Sequence, residues 1–319
     1  MFDRFTRGLS SKTMDAYEVF LKVFIRFVGD LDIEELTMDS IMLYIASLYN
    51  RQLSRATVYT YTRHLKVFLK WIGEDKIIRV HYDVQKIPFP KVNKKAVHLY
   101  NSEEIRMIFS LVVAESDWLI ARNKACIALM LDSGLRQSEA CGVKTAQYDR
   151  INHQLTICGK GEKWRIVPVG KLSTHYIEQY IQTCLFNIGE YLFLDRRGNP
   201  MSCNALKLLV HRIAVQLPFE FSCHKLRHNF ATNYCIDMYE QKGHMDAYSL
   251  QILLGHSDMQ TTMRYIHHAM SIVAAKAHVS HLDLLNSKNE FFKVKKKACD
   301  SFEPQAWYTF RGSNPGHPD

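Results

Sequence analysis

The stretch His224-Lys-Leu-Arg-His-Asn-Phe-Ala-Thr232 combines an apolar helical pattern with a dense group of basic side chains. Leu226 and Phe230 are four residues apart, which is the spacing of one buried helical face. The pattern predicts a helix that begins near His224 and places this side chain and Arg227 about one turn apart on a shared face. Such a pair, taken alone, is more typical of a hydrogen bond between helices than of a catalytic site.

A downstream segment carries a histidine and a tyrosine at a fixed interval. It begins with Leu253-Leu-Gly-His-Ser-Asp258, and Arg264-Tyr265 follows, so that His256 and Tyr265 are nine residues apart. By itself, Tyr265 is typical of a partly buried aromatic side chain.

An upstream segment, Gly134-Leu-Arg-Gln-Ser-Glu139, follows an apolar run. We expect Gly134 to end one helix and Arg136 to begin the next. A lone arginine at such a place usually faces solvent. Two further helix starts are expected, one capped by Ser54 and one at Asn101, which has an acidic residue three positions later.

Two β-branched runs lie between these segments. Gln154-Leu-Thr-Ile-Cys158 and Arg165-Ile-Val-Pro-Val169 flank Gly159-Lys-Gly161, which predicts two strands joined by a turn with Lys160 at its tip. Lys163 is a nearby competitor for any role given to that lysine. A shorter extended run is expected at Tyr191-Leu-Phe-Leu194.

Together and in this order, the segments resemble the tyrosine recombinase, or phage integrase, family. The catalytic half of that family carries G-L-R-x-x-E, G-K-G, H-x-x-R and L-G-H, with a tyrosine nine residues after the last histidine. The resemblance covers about residues 101–268 with specific motifs, and residues 1–75 more loosely. One departure is visible, because residues 237–248 form a longer stretch than in the commonest members.

The resemblance implies a chemistry that the residue types fit. Phosphodiester cleavage needs fixed cations around phosphorus, and a guanidinium offers paired donors to phosphate oxygens. Tyr265 would be the nucleophile and His224 its base, since a phenol with a pKa near ~10 needs help to ionise. Lys160 would protonate the departing 5′-hydroxyl, with Lys163 as the alternative general acid. The implied catalytic set is Arg136, Lys160, His224, Arg227, His256 and Tyr265, supported by Glu139.

The phosphotyrosyl bond would conserve the energy of the broken phosphodiester, so the resemblance implies neither ATP nor metal nor any other cofactor. The chain has no G-x-x-x-x-G-K-[ST] loop. Its eight cysteines lack the paired close spacing that a structural zinc site needs. Their scattered positions fit a reducing cytoplasm. No apolar run is long enough to cross a bilayer, so we expect a cytoplasmic protein without a membrane partner.

The fold class expected is mainly α with a small β-sheet, in two domains that close around duplex DNA as a clamp. Residues 1–75 read as a helical core-binding domain, 76–100 as a basic linker, 101–288 as the catalytic domain and 289–319 as a disordered tail. A net charge of +9 suits an acidic polymer such as DNA. The candidate DNA-binding residues are Arg55, Arg63, Lys66, Lys70, Lys91, Lys94 and Lys95.

The resemblance also implies partners. The active assembly would be a homotetramer on two specific double-stranded DNA sites, with an accessory excision factor. After Tyr265 an apolar stripe suggests a terminal helix that docks on a neighbouring protomer or, alternatively, on its own domain. Its members are Ile272, Val273, Ala275, Val279, Leu282 and Leu285. Integration and excision of a mobile element is the role expected; an Xer-like resolvase of chromosome or plasmid dimers and a catalytically inactive DNA-binding regulator are the alternatives.

Overall fold

The computed structural model describes residues 8, 11–74, 79–92, 98–159, 163–278 and 280–282. The chain divides into two compact units, 1–96 and 97–319. This division falls inside the expected linker at 76–100, and the functional assignment of the two units stays a prediction. The expected tail at 289–319 lies outside the described residues.

The first unit is a small helical bundle. Its helices are α1 (Ser11–Val28), α2 (Met38–Asn50) and α3 (Arg55–Gly73). As the sequence predicts, the Ser54 side chain caps α3 by accepting from the backbone N–H of Thr57. Residues 84–86 form one 3-10 turn, and the buried side chain of Ile87 packs into the core of the bundle.

The second unit is mainly helical. Its first helices are α4 (Ser102–Ser110), α5 (Asp117–Ser133), α6 (Gln137–Cys141) and α7 (Lys171–Thr183). They are followed by α8 (Cys203–Ala214), α9 (Cys223–Lys242), α10 (Ala247–Leu254) and α11 (Met259–Ala277). The predicted start of α4 is confirmed, because Asn101 and Glu104 form a reciprocal capping box.

A small antiparallel sheet lies between α6 and α7. Its order is β1 (Tyr148–Asp149), β2 (Gln154–Cys158) and β3 (Trp164–Pro168). The predicted pairing of two strands is confirmed by β2 and β3, and the register places Leu155 opposite Val167. The two-residue strand β1 was not predicted, because it is too short to show a period of two.

The structure describes two further segments that the sequence singled out. The extended run at Tyr191–Leu194 makes only isolated bridges, from Tyr191 to Lys144 and from Leu194 to Pro200. Much of the long stretch 237–248 is helical, since α9 continues to Lys242 and ends at the left-handed Gly243. Within the described ranges, no helix combines the length and apolar content that crossing a membrane requires.

Candidate active site

Arg136 is positioned by a tight helix-to-helix junction. Helix α5 ends at Gly134, whose φ of +62° is left-handed, and a Cβ there would lie 2.2 Å from the Phe230 ring. Only glycine fits this close approach. Arg136 then caps α6, and its Nη1 donates to Glu139 Oε1 at 2.8 Å. Its side chain remains 35% exposed, so the guanidinium is accessible from solvent.

Arg227 lies on α9 and is almost fully buried. Its Nη1 donates to the carbonyl oxygen of Gly134 and its Nη2 to that of Leu254, both at 2.6 Å. Burial lowers the pKa of Arg227 to about 10, with repulsion from Arg136 as the next cause, so the guanidinium remains charged at neutral pH.

Three consecutive carbonyl groups at the end of α10 each accept a hydrogen bond from a different arginine. Leu253 accepts from Arg165, Leu254 from Arg227, and Gly255 from Arg136, at 2.8, 2.6 and 2.8 Å. The last carbonyls of a helix lack intrahelical partners and carry its negative dipole end, so they suit cations. We call these three carbonyls the α10 carbonyl end; it brings distant arginines to one place.

Glu139 is the carboxylate at the centre of this arrangement. It accepts two hydrogen bonds from Arg165, one from the backbone N–H of Arg136 and one from the Arg136 side chain. Burial opposes ionisation of Glu139, but the bonds from Arg165 and Arg136 outweigh it and hold its pKa at about 2. Arg227 Nη1 lies 4.0 Å from Glu139 Oε2. Glu139 thus contacts both Arg136 and Arg165, and its supporting role in catalysis stays a prediction.

The candidate nucleophile lies among histidine rings. The ring centroid of Tyr265 is 6.1 Å from that of His256 and 5.1 Å from that of His228, which is in turn 4.1 Å from His224. His228 is part of the motif at 224–232, but no role was predicted for it. The structure places it between His224 and Tyr265.

Charge and burial set the protonation of this group. Burial raises the pKa of Tyr265, which is only 6% exposed, although Arg227 and Arg264 oppose the shift. Burial, followed by nearby charges, lowers the pKa of His256 and of His228 to about 4 and lowers that of His224 as well. The free protein therefore holds a protonated phenol beside neutral imidazoles at neutral pH.

His256 is oriented by a buried hydroxyl on α11. Its Nδ1 lies 2.9 Å from Oγ1 of Thr262, a residue with no solvent exposure. If Thr262 donates, the ring proton of His256 sits on Nε2 and is free to bind an anion.

Other predicted site residues are placed as follows. Lys160 lies outside the described residues, while Lys163 is exposed and its carbonyl accepts from the N–H of Gly159 to close the β2–β3 hairpin. In the first unit, Arg55, Arg63, Lys70 and Lys91 are exposed, and Lys94 and Lys95 lie outside the described residues.

Lys66 differs from that exposed set. Its Nζ donates to the carbonyl oxygen of Ile87 at 2.8 Å and lies 4.6 Å from the Phe89 ring centroid. This lysine therefore ties the segment after α3 to the bundle as well as adding charge.

The apolar stripe after Tyr265 is only partly described. Ile272 and Val273 pack against the cluster formed by α9, α10 and α11 of their own unit, whereas Ala275 and Leu282 are exposed. Val279 and Leu285 lie outside the described residues. Among the side chains that the structure describes, no group of three or more His, Cys, Asp or Glu residues is arranged to hold a metal ion.

Solved recombinases share this fold. The XerH site-specific recombinase, bound to a palindromic difH substrate in a post-cleavage complex, matches with a TM-score of 0.67 and 21% identity over 85% of this chain and 80% of that chain. A lambda integrase dimer bound to a COC′ core site gives a TM-score of 0.64 and 20% identity over 82% and 75%. Fold and site together thus indicate the tyrosine recombinase class.

Family models reach the same class from the sequence. The model described as "Phage integrase family" matches residues 101–271, which is more than half of the chain. A second, "Phage integrase, N-terminal SAM-like domain", matches residues 3–79. The chain belongs to the phage integrase family.

Curated relatives are tyrosine recombinases. XerC of Bradyrhizobium diazoefficiens is 35% identical over 154 residues, 46% of each chain. XerC of Agrobacterium fabrum is 31% identical over 57% of this chain and 55% of its own. These two matches span about half the length of the relatives. XerD of Halalkalibacterium halodurans is 24% identical over 83% of this chain and 90% of its own.

Proposed function

We propose that this protein cleaves and rejoins DNA strands at specific sites through a 3′-phosphotyrosyl intermediate on Tyr265. The observation that carries the proposal is that Arg136 and Arg227 both bind the α10 carbonyl end, which His256 directly follows in the chain, and that the Tyr265 ring stacks against the ring of His256. The two arginines come from segments far apart in the sequence, and with His256 they offer hydrogen-bond donors next to a phenol.

In the cleavage step, the Tyr265 oxygen attacks phosphorus and the bond from phosphorus to the 5′ oxygen breaks. Arg136 and Arg227 stabilise the charge on the non-bridging oxygens, because they are held before DNA arrives and need no reorganisation. His256 adds a donor to the same oxygens. The positive charge also favours the phenolate form of Tyr265.

Two proton transfers complete the step. His224, next to His228, accepts the phenolic proton, which its lowered pKa permits because the imidazole is neutral at pH 7. Lys160 gives a proton to the departing 5′ oxygen. In the reverse direction, a 5′-hydroxyl of another strand attacks the phosphotyrosyl bond and releases Tyr265, so bond energy is conserved without ATP.

The partner we propose is duplex DNA, held largely through its phosphates by the basic residues of both units. The assembly proposed is a homotetramer on two sites, with exchange of the segment after α11 between protomers. Integration and excision of a mobile element, aided by an excision factor, is the role we favour. A resolvase of chromosome or plasmid dimers uses the same chemistry, and the DNA that flanks the gene decides between these roles.

The test is capture of the covalent intermediate from a pool of short duplexes. Each duplex is nicked within a randomised core, so that the fragment released by cleavage diffuses away and the adduct accumulates. We expect a protein–DNA adduct on denaturing gels, and nuclease digestion followed by mass spectrometry should locate the nucleotide on Tyr265. Sequencing of the captured DNA gives a defined nicked duplex, called the selected substrate below.

The decisive variant is Tyr265→Phe, which removes the attacking oxygen and little else. It should bind the selected substrate and form no adduct. The matched control is Tyr248→Phe, which removes the hydroxyl of an exposed tyrosine at the start of α10 and should form adduct normally. An adduct that persists in Tyr265→Phe contradicts the proposal, and so does DNA binding by the wild type without any adduct, which is the outcome for a regulator.

A further inference from the structure

We propose that Arg165 is a positioning residue of this site, which holds Glu139 and, through it, Arg136 in the geometry that phosphate binding requires. The inference rests on the proposed function. It assigns a role to a residue whose sequence context indicates only a β-strand.

The first observation is an inverted strand pattern on β3. Side chains alternate between the two faces of a strand, so Arg165 and Val167 share the inward face. Trp164 and Ile166 face outward and are 63% and 56% exposed, while Arg165 is only 7% exposed. A strand that turns two large apolar side chains to solvent and an arginine to the core breaks the usual preference, and such local violations concentrate at functional sites.

The second observation is that all three nitrogens of the Arg165 guanidinium donate hydrogen bonds. Nη1 and Nη2 of Arg165 donate to the two carboxylate oxygens of Glu139 at 3.0 and 2.7 Å, and Nε donates to the carbonyl oxygen of Leu253 at 2.8 Å. The two parallel hydrogen bonds to Glu139 fix the plane of its carboxylate, which the single ammonium group of a lysine does not do. The same two oxygens receive the Arg136 side chain and backbone N–H.

The third observation is the close fit of backbone around Arg165. A Cβ on Gly255 would lie 3.1 Å from Nη1 of Arg165, and a Cβ on Gly159 would lie 3.3 Å from the same atom. Both contacts are tighter than ordinary packing, so two glycines allow the chain to close around this guanidinium. Gly255 also belongs to the α10 carbonyl end, which binds Arg136 directly.

Stability alone does not account for this pair. The side chains of Arg165 and Glu139 are only 4% and 6% exposed, and burying an ion pair costs desolvation that its attraction barely offsets. Well-packed apolar side chains at the same places would be about as stable. The pair instead fixes the position of the Glu139 carboxylate. This position matters because Arg136 and Arg227 repel each other and Glu139 is the acid between them.

The test compares Arg165→Lys with a matched buried arginine. Arg122→Lys is the control: Arg122 is 8% exposed, lies on α5, and donates to a side-chain oxygen of Asn123 and the carbonyl of Leu194, with no bond to Glu139. Each variant loses the paired donors of a buried guanidinium, so each should have a lower melting temperature than the wild type. Rates are measured well below both melting temperatures.

Under single-turnover conditions on the selected substrate, we expect Arg165→Lys to cleave at least about tenfold more slowly, since displaced cationic donors weaken transition-state stabilisation. Its affinity for DNA should be unchanged, and Arg122→Lys should cleave at the wild-type rate. Glu139→Gln should also be slow, and its combination with Arg165→Lys no slower than the slower single variant, because both changes act through one contact.

A readout independent of cleavage completes the test. Nitrogen-15 relaxation of the Arg136 guanidinium should show greater mobility in Arg165→Lys than in the wild type or in Arg122→Lys. Any of three results would overturn the inference. The first is unchanged mobility of Arg136 in Arg165→Lys, and the second is multiplication of the rate effects of Arg165→Lys and Glu139→Gln in the double variant. The third is an equal cleavage rate for Arg165→Lys and Arg122→Lys. Absence of any wild-type adduct would instead refute the proposed function, while the mobility of Arg136 still decides the role of Arg165.

Discussion

Arg136 donates from Nη2 to the carbonyl oxygen of Gly255 at 2.8 Å, a bond between residues 119 positions apart in the sequence. It links the start of α6 to the turn that carries His256. Because Gly255 is also left-handed, with φ of +61°, the same residue ends α10 and binds an arginine of the candidate site. The geometry of this turn should therefore affect cleavage as well as folding.

The first prediction concerns Gly255→Ala. A left-handed alanine costs roughly 1–2 kcal/mol, and the added Cβ would press on Arg165 at 3.1 Å. We expect loss of stability of this order and slow cleavage of the selected substrate. Gly243→Ala is the control, since Gly243 ends α9 at φ of +73° with no atom within 4 Å of a Cβ. It should lose similar stability yet cleave normally; slow cleavage by both variants would mean that backbone strain alone is responsible.

The second prediction concerns the replacement of Arg136 or Arg227 by lysine. Arg136→Lys and Arg227→Lys keep a positive charge but lose the paired donors, so each should lower the single-turnover cleavage rate by on the order of 10²-fold. Arg227→Lys should be the less stable variant, because Arg227 is buried and bridges the carbonyls of Gly134 and Leu254. Near-normal cleavage by both variants would refute their role at the phosphate.

The features of the fold that the sequence predicts are those set by local chemistry. The left-handed Gly134, the caps at Ser54 and Asn101, and the β2–β3 pairing each depend on residues within one turn or one hairpin. Their side-chain types leave few alternatives, so the helix starts and the hairpin follow from the sequence alone.

The features that it misses depend on distant contacts. Arg165 bonds Glu139, 26 residues away, and Leu253, 88 residues away, so no local pattern marks it as more than a strand residue. Its inward position is visible only in the structure, because the sequence has apolar side chains at both Ile166 and Val167, on opposite faces of the strand. His228 was visible in the motif, but its place between His224 and Tyr265 depends on how α9 packs against α11.

The third prediction concerns the tautomer of His256. Thr262→Val keeps the shape of the side chain but removes the hydroxyl that lies 2.9 Å from Nδ1. Losing one hydrogen bond of up to about 1.5 kcal/mol should slow cleavage by up to about tenfold. Nitrogen-15 shifts of the His256 ring should show a changed mixture of tautomers. Thr261→Val, at the half-buried neighbouring position, is the control; equal rates for the two variants would exclude this role for Thr262.

The fourth prediction separates the two candidate general acids, Lys160 and Lys163. A selected substrate with sulfur in place of the bridging 5′ oxygen has a better leaving group that needs no proton. This substrate should restore cleavage by Lys160→Ala and leave Arg136→Ala slow, because the arginine acts on the non-bridging oxygens. If sulfur instead restores cleavage by a slow Lys163→Ala variant, the general acid is Lys163.

The last prediction concerns pH and the two histidines next to Tyr265. The folded protein holds the pKa of His256 and of His228 at about 4, below the ordinary value of 6.5, with burial as the first cause. Between these values the unfolded chain binds more protons than the folded one, so the free energy of unfolding falls as pH falls from 6.5 towards 4.

Urea unfolding measured across this range should therefore show a slope that is smaller in His256→Gln and in His228→Gln than in the wild type. The control is His211→Gln, which changes a solvent-exposed histidine on α8 and should leave the slope unchanged. The same lowered values keep both rings neutral at pH 7, where the Tyr265 proton must leave. If the slope is the same in all four proteins, these rings are protonated as readily in the folded protein as in the unfolded chain, and a neutral histidine group around Tyr265 is wrong.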